Sequence, residues 1–215
     1  MRFRDRHEAG ERLADALEEH AALATVDRPL ILGVPRGGVP VAAVVSERLE
    51  AELDVLVAHK LGAPGNPEFA IGAVAEDGTA NLDAEVIDRY GIDSDYIDRE
   101  THRQQQEVER RALSLRQGRS PIPVAGRICI VVDDGVATGA TLEVSIRLVV
   151  GAGADSVIAA VPVGPPATIR RLERIADAVV CPVQPATFYA VGAWYEDFSQ
   201  VSDETVTALL GGRSP

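Results

Sequence analysis

The chain has 215 residues, enough for one α/β domain with a sizeable core. Its formal net charge of −12 argues against a general affinity for nucleic acid or anionic lipid. No run of about 18 uncharged apolar residues is present to span a bilayer. The N-terminal Met1-Arg2-Phe3-Arg4-Asp5-Arg6 has no apolar stretch behind it of the kind a secretory signal needs, so a cytoplasmic protein with no membrane partner is expected.

In chain order, residues 5–24 place Ala9, Leu13, Ala16, Leu17 and Leu23 at helical spacing among charges, which predicts an amphipathic helix. PLILGV (29–34) reads as a short buried strand, followed by Pro35-Arg36-Gly37-Gly38 and a helical stretch, VPVAAVVSERLEA. DVLVA (54–58) predicts a second strand that ends at His59-Lys60. Of 21 basic residues Lys60 alone is lysine; either its compact ammonium group matters there, or it is a chance surface residue. LGAPGNPEF reads as a Gly/Pro-rich loop in which Asn66 and Glu68 face a site or Pro64 and Pro67 merely stiffen the chain. AIGAVAEDGTANL predicts a hairpin turning at Asp77-Gly78.

Residues 94–117 are very polar and rich in helix formers, which predicts a long exposed helix with Val108, Ala112, Leu113 and Leu115 as its apolar contacts. Its His102, Arg103, Arg110 and Arg111 belong to a solvated helix, a dimer contact or a lid. A linker over 118–123 leads to the buried strand RICIVVDD, a helix from Ala140 to Val150, the strand SVIAAVPV, the helix ATIRRLERIA and the strand AVVCPV. Cys129 and Cys181 lie in two of these apolar strands and read as isolated core thiols rather than a disulfide. An aromatic cluster and a short helix close the chain. Continuous apolar strands alternating with helices indicate a mainly parallel sheet covered on both faces, with ligands bound at the carboxyl ends of its strands. The loops after Val34, Ala58 and Val132 would then converge on one site.

The most informative segment runs from Ile130 through Val132, Asp133, Asp134, Gly135, Val136, Ala137, Thr138, Gly139 and Ala140 to Thr141. It is a buried strand, two adjacent carboxylates, a turn of small residues and a helix start. Gly135 and Gly139 allow a tight fold with outward N–H groups, the helix N-terminus adds partial positive charge, and Thr138 and Thr141 add hydroxyls. Beside such an anion cradle, two carboxylates can accept hydrogen bonds from vicinal hydroxyls. Phosphate on one side and diol on the other describe a ribose 5-phosphate.

This segment closely resembles the signature of the type I phosphoribosyltransferases, and GVPRGGVPVA resembles that family's first loop, where a glycine-containing turn contacts diphosphate. The resemblance covers roughly residues 25–200 and implies a doubly wound, mainly parallel α/β fold flanked by helices, with a small C-terminal hood. It implies one phosphoribosyltransferase domain over 1–215, with 83–120 as a helical insertion and 184–215 as part of the hood. Asp133 and Asp134 would hold the ribose hydroxyls directly or through Mg²⁺, Ala137, Thr138, Gly139, Ala140 and Thr141 would cradle the 5-phosphate, and Gly135 and Val136 would also bind substrate. Arg36 and Lys60 would neutralise diphosphate, while Gly37 and Gly38 would let the backbone approach it. Family members often hold a cis peptide in this turn.

The Ser-Tyr pair of the purine-salvage members and the loop lysine of the orotate-type members have no recognisable counterpart. Phe188-Tyr189 loosely resembles the purine members' base-stacking aromatic, so this stretch either stacks an acceptor ring or forms a small hydrophobic core. The implied reaction moves the phosphoribosyl group from phosphoribosyl diphosphate to a small-molecule nitrogenous base and releases diphosphate. The alternative is a non-catalytic protein that binds phosphoribosyl diphosphate to regulate nucleotide genes, for which the acidic charge is unfavourable. The resemblance leaves a homodimer open.

Overall fold

The computed structural model describes residues 2–21 and 28–211, with Pro67 and Glu68 described in backbone only. The first half of the chain forms α1 (Arg6–Glu18), β1 (Leu30–Gly33), α2 (Gly38–Arg48), β2 (Glu52–Val55), β3 (Ala58–Ala63), β4 (Asn66–Ala75), β5 (Ala80–Leu82) and α3 (Ala84–Tyr90). The second half forms α4 (Ser94–Leu115), β6 (Ile128–Val132), α5 (Ala140–Gly151), β7 (Ser156–Ala160), α6 (Pro166–Leu172), β8 (Ala178–Val180) and α7 (Asp203–Gly211).

Five strands pair in parallel in the order β2-β1-β6-β7-β8. Successive strand residues point to opposite faces, and both faces are buried. Leu30, Leu32, Cys129, Val131, Val157 and Ala159 meet Leu142, Ile146 and Val149 of α5 and Ile169 and Leu172 of α6. Ile31, Ile130, Val132, Ile158 and Ala160 meet Leu13 and Leu17 of α1 and Val41 and Val45 of α2. Burial on both sides explains why these strands are continuous apolar runs. The reversal between β1 and β6 places the loops after them side by side at the carboxyl edge, the usual ligand position in such sheets. Cys129 and Cys181 are buried free thiols, and burial pushes them up to about 11 and about 12.

The structure corrects several expectations. DVLVA is not one strand: β2 ends at Val55, and Ala58 opens β3 in a separate antiparallel sheet, β3-β4-β5, so Lys60 lies within β3 opposite Ala73 rather than at a strand end. Most of the expected LGAPGNPEF loop is strand, reversing at Pro64-Gly65 where Gly65 has φ +73°, while the β4–β5 hairpin does turn at Asp77-Gly78. The N-terminal helix stops at Glu18, and the expected residues 22–24 lie outside the described residues.

The long polar helix is α4, and it is not merely exposed. Ile97, Gln104, Val108, Ala112 and Leu115 form a buried stripe at helical spacing, which packs on Val55 and Val57, on Val206 and Leu210 of α7, and on the small sheet. Leu113, expected among the contacts, falls off that stripe and is 52 % exposed.

Candidate active site

Asp133 and Asp134 stand immediately beyond β6, and the Pro35–Gly38 turn stands immediately beyond β1. The two loops touch. A Cβ built on Gly37 would lie 2.0 Å from Asp134 Oδ2, and one built on Gly38 would lie 2.5 Å from the Val132 carbonyl oxygen and 2.8 Å from Asp133 Cα. Both glycines are therefore needed for this contact, whatever the turn binds. The Pro35–Arg36 peptide is cis. Arg36 is half-buried, and among the described residues its guanidinium has one long ion-pair contact, to Asp203, 3.9 Å from Nη1 to Oδ1.

The acid pair is unequally compensated. Arg6, from the first turn of α1, meets Asp134 Oδ2 at 2.9 Å through both Nε and Nη2, and its Nη1 donates to the Ser199 carbonyl at 2.8 Å. Its guanidinium lies 4.1 Å from the ring centroid of Phe198 and 5.9 Å from that of Tyr195. The Tyr195 hydroxyl donates to the Asp134 carbonyl oxygen at 2.5 Å. The Asp133 carboxylate has one hydrogen bond among the described residues, accepting from the Asp134 N–H at Oδ1 at 2.8 Å. Burial, and then the neighbouring Asp134 charge, push Asp133 up to about 8; burial also raises Asp134, opposed by Arg6. Among the described residues, Asp133 Oδ2 and Asp134 Oδ1 accept no hydrogen bond, so each acid presents one oxygen for a ligand.

The loop into α5 is held by its carbonyls. Thr168 Oγ1 donates to the Ala137 carbonyl at 2.7 Å, and Arg171 donates to that of Thr138. Gly139, with φ +80°, caps α5 without a side-chain bond, and the first helical bond runs from the Glu143 N–H to the Gly139 carbonyl. Among the described residues no hydrogen bond uses the N–H groups of Ala137, Thr138, Gly139, Ala140, Thr141 or Leu142. Carbonyls turned onto α6 and amides left unpaired at a helix N-terminus make an anion cradle. The Val136 N–H is not part of it, since it donates to Val163.

The C-terminal segment abuts this loop: a Cβ on Gly135 would lie 2.6 Å from Val191 Cγ1. Phe188 is half-buried and stacks on Trp194 at 6.3 Å, beside the small core of Phe3, Ala9, Val163 and Tyr195. Tyr189 is 88 % exposed. The core-forming alternative thus describes Phe188, and only Tyr189 presents an open ring. Lys60 is exposed on β3, and the residues from this strand that join Pro35 and Thr141 around a common cavity are Ala58 and His59. Asn66 lines a different cleft with Phe69 and Tyr90, and the side chain of Glu68 lies outside the described residues.

Two contributors were not anticipated: Arg6 and Tyr195 act on Asp134 from opposite ends of the chain, with no local pattern to mark them. Arg111, one of the α4 arginines named above for a solvated face, a dimer contact or a lid, reaches the cavity beside Pro35 because the Val108–Ala112–Leu115 stripe fixes the helix rotation.

No group of three or more His, Cys, Asp or Glu residues suited to a metal ion occurs among the described residues. The two carboxylates fit a Mg²⁺ that takes its remaining ligands from substrate phosphates and water, the usual habit of this ion. They do not form a protein-only cage.

An acid pair and unpaired helix-start amides thus lie together at the carboxyl edge of an α/β sheet, the usual ligand position in such folds. A family model described as "Phosphoribosyl transferase domain" matches residues 4–196, and the chain belongs to that family. It is 46 % identical over 208 residues to a protein of Mycobacterium tuberculosis, found in strains H37Rv and CDC 1551, whose name assigns it provisionally as a phosphoribosyl transferase. The alignment takes in 97 % of this chain but 46 % of that protein, so the chain spans about half the length of the curated relatives it matches. The crystal structure of TT1426 from Thermus thermophilus is 47 % identical, with 98 % of each chain covered and a TM-score of 0.86. AQ2163 from Aquifex aeolicus shares the fold at 14 % identity and a TM-score of 0.51, over 87 % of this chain and 78 % of that one.

Proposed function

We propose that the protein transfers the 5-phosphoribosyl group of phosphoribosyl diphosphate to a nitrogenous base and releases diphosphate. One observation carries this reading: among the described residues, two carboxylate oxygens without partners stand beside six unpaired N–H groups at the start of α5. A ribose 5-phosphate satisfies both sets together.

In this reading Asp133 Oδ2 and Asp134 Oδ1 accept hydrogen bonds from the ribose hydroxyls, and the amides of residues 137–142 donate to the 5-phosphate. Arg36 and the Gly37–Gly38 backbone face the diphosphate and offset the charge that grows on it as its bond to the anomeric carbon breaks. Mg²⁺ bound with the diphosphate, held by Asp133 and Asp134 directly or through water, would supply further charge neutralisation. The acceptor nitrogen attacks the electron-poor anomeric carbon, so no covalent enzyme intermediate is needed. Tyr189 offers an open ring on which a base can stack. No described helix is long and apolar enough to cross a membrane, and a cytoplasmic location, where such substrates are found, belongs to the proposal.

The test is a screen of purine and pyrimidine bases with phosphoribosyl diphosphate and Mg²⁺, read by diphosphate release. Release that requires one base, and is lost in Asp133→Asn/Asp134→Asn, is the expected result. Absence of base-dependent release across the screen would defeat the transferase reading.

A further inference from the structure

Ser145 Oγ is the one buried side-chain nitrogen or oxygen without a hydrogen-bond partner among the described residues. Ser145 is fully buried, one turn beyond Thr141 on α5. A serine inside a helix commonly satisfies itself on the carbonyl four residues back, and this one does not. Leaving a buried hydroxyl unpaired is costly, so the position calls for an outside partner.

Ser145 lines a cavity of about 160 Å³. Val34 and Pro35 enter it from the end of β1, residues 56–59 from the link between β2 and β3, Thr141 from α5, and Val108 and Arg111 from α4. The apolar walls leave few polar groups, and most of these suit an anion. Arg111 makes no ion pair among the described residues, while the Glu107 carboxylate beside it is taken by Arg110 at 2.6 Å. His59 spends Nδ1 on the Lys60 carbonyl at 3.1 Å and keeps Nε2.

Position and size select the occupant. The cavity shares Pro35 with the diphosphate turn and Thr141 with the 5-phosphate cradle, so it opens between the two anion-binding loops. Its volume gives room for one phosphoryl group and its nearest waters and is well below the ~300 Å³ at which pockets for larger organic ligands begin.

We propose that this cavity, roofed by α4, is an anion subsite for the end of the diphosphate remote from the ribose, with Arg111 supplying charge and Ser145 a hydroxyl donor. This assignment rests on the phosphoribosyl diphosphate reading and extends it to residues outside both loops. It gives α4 a role in the site of a chain that lacks the recognisable catalytic loops of the purine-salvage and orotate-type enzymes.

The experiment is calorimetry on the full chain with inorganic diphosphate, orthophosphate and phosphoribosyl diphosphate, comparing wild type, Arg111→Met and Ser145→Ala. Wild type should bind diphosphate more tightly than orthophosphate. Arg111→Met should weaken diphosphate about tenfold or more, the scale of one charge-assisted hydrogen bond, and leave orthophosphate at the α5 cradle nearly unchanged. Ser145→Ala, which removes an unpaired hydroxyl and should melt with the wild type, should weaken diphosphate about threefold to tenfold. Equal diphosphate binding by all three proteins, or none by wild type, overturns the subsite. If both variants bind phosphoribosyl diphosphate like wild type and only Asp133→Asn/Asp134→Asn fails, the subsite falls while the ribose site stands. If wild type ignores phosphoribosyl diphosphate yet binds diphosphate through Arg111 and Ser145, the reverse holds.

Discussion

Two arginines in this molecule meet carboxylates out of bulk water, and the two regions differ in what is left over. Arg116, at the end of α4, donates through Nε to Asp54 Oδ1 at 2.6 Å and through Nη2 to Glu76 Oε1 at 2.6 Å and the Val55 carbonyl at 2.9 Å. Asp54 Oδ1 also accepts from the Val55 N–H at 2.7 Å, and Oδ2 accepts from the Ile122 N–H at 2.9 Å, so both oxygens are used. This cluster ties β2, the small sheet and the linker after α4 into one body. Arg6 meets Asp134 at 2.9 Å, yet among the described residues Asp133 beside it has no cation in contact, and each acid keeps an oxygen without a protein partner. The saturated cluster is architecture, whereas the acid pair, held together but unsaturated, is where we propose that the ligand binds.

Removing each arginine sharpens the contrast. Arg116→Met strands two buried or half-buried carboxylates and should lower unfolding free energy by about 3–5 kcal/mol, measured by denaturant titration. A loss below about 1 kcal/mol would mean that the cluster is not the clamp described.

The next effect is one of pH. Asp133 is raised from its ordinary 3.8 to about 8 in the folded protein. Between those values the native state binds the proton and the unfolded state has lost it. Stability from this group is therefore fully present below about pH 4 and declines as pH rises through about 8. Asp133→Asn should remove that slope, giving a protein whose melting temperature relative to wild type improves steadily from about pH 5 to about pH 8. A pH-independent difference would contradict the unsaturated state of Asp133.

Arg6→Met should act more on binding than on folding, with a stability loss of about 1–2 kcal/mol but a clear rise in KM for phosphoribosyl diphosphate. Arg6→Lys should recover only part of it, because an ammonium cannot reproduce the planar fork lodged against Phe198. An equal fall in stability and no change in KM would make Arg6 structural, like Arg116. The smallest effect is expected from Tyr195→Phe, which loses one hydrogen bond to the Asp134 carbonyl and should cost about 1 kcal/mol in thermal unfolding.

The readable parts of the site were those encoded within a dozen residues. A buried strand running into Asp133-Asp134 and then a Gly/Thr turn places acids beside a helix start whatever the rest of the chain does, and Gly37-Gly38 follows the neighbouring strand in the same way. The partners of that motif were not readable. Arg6 and Asp134 lie 128 residues apart, and Tyr195 lies 61 residues beyond Asp134. Nothing local distinguishes Arg6 from Arg2 or Arg4. The apolar run from Asp54 to Ala58 hid a change of sheet, since apolar continuity alone does not show where one strand stops and the next begins. The residues after it looked like a loop because Gly and Pro dominate them, although the turn needs only Pro64-Gly65. On α4, the choice between Leu113 and Ile97 as buried residues depended on which face meets α7 and the small sheet, a tertiary fact.

The most direct measurement is calorimetric binding of phosphoribosyl diphosphate with Mg²⁺ to wild type and to Asp133→Asn/Asp134→Asn at several salt concentrations. Binding by wild type that is lost in the folded double variant at every salt level is the expected result. Failure of folded wild type to bind, or equal binding by the variant, would contradict the assignment of the acid pair and its cradle as the donor site.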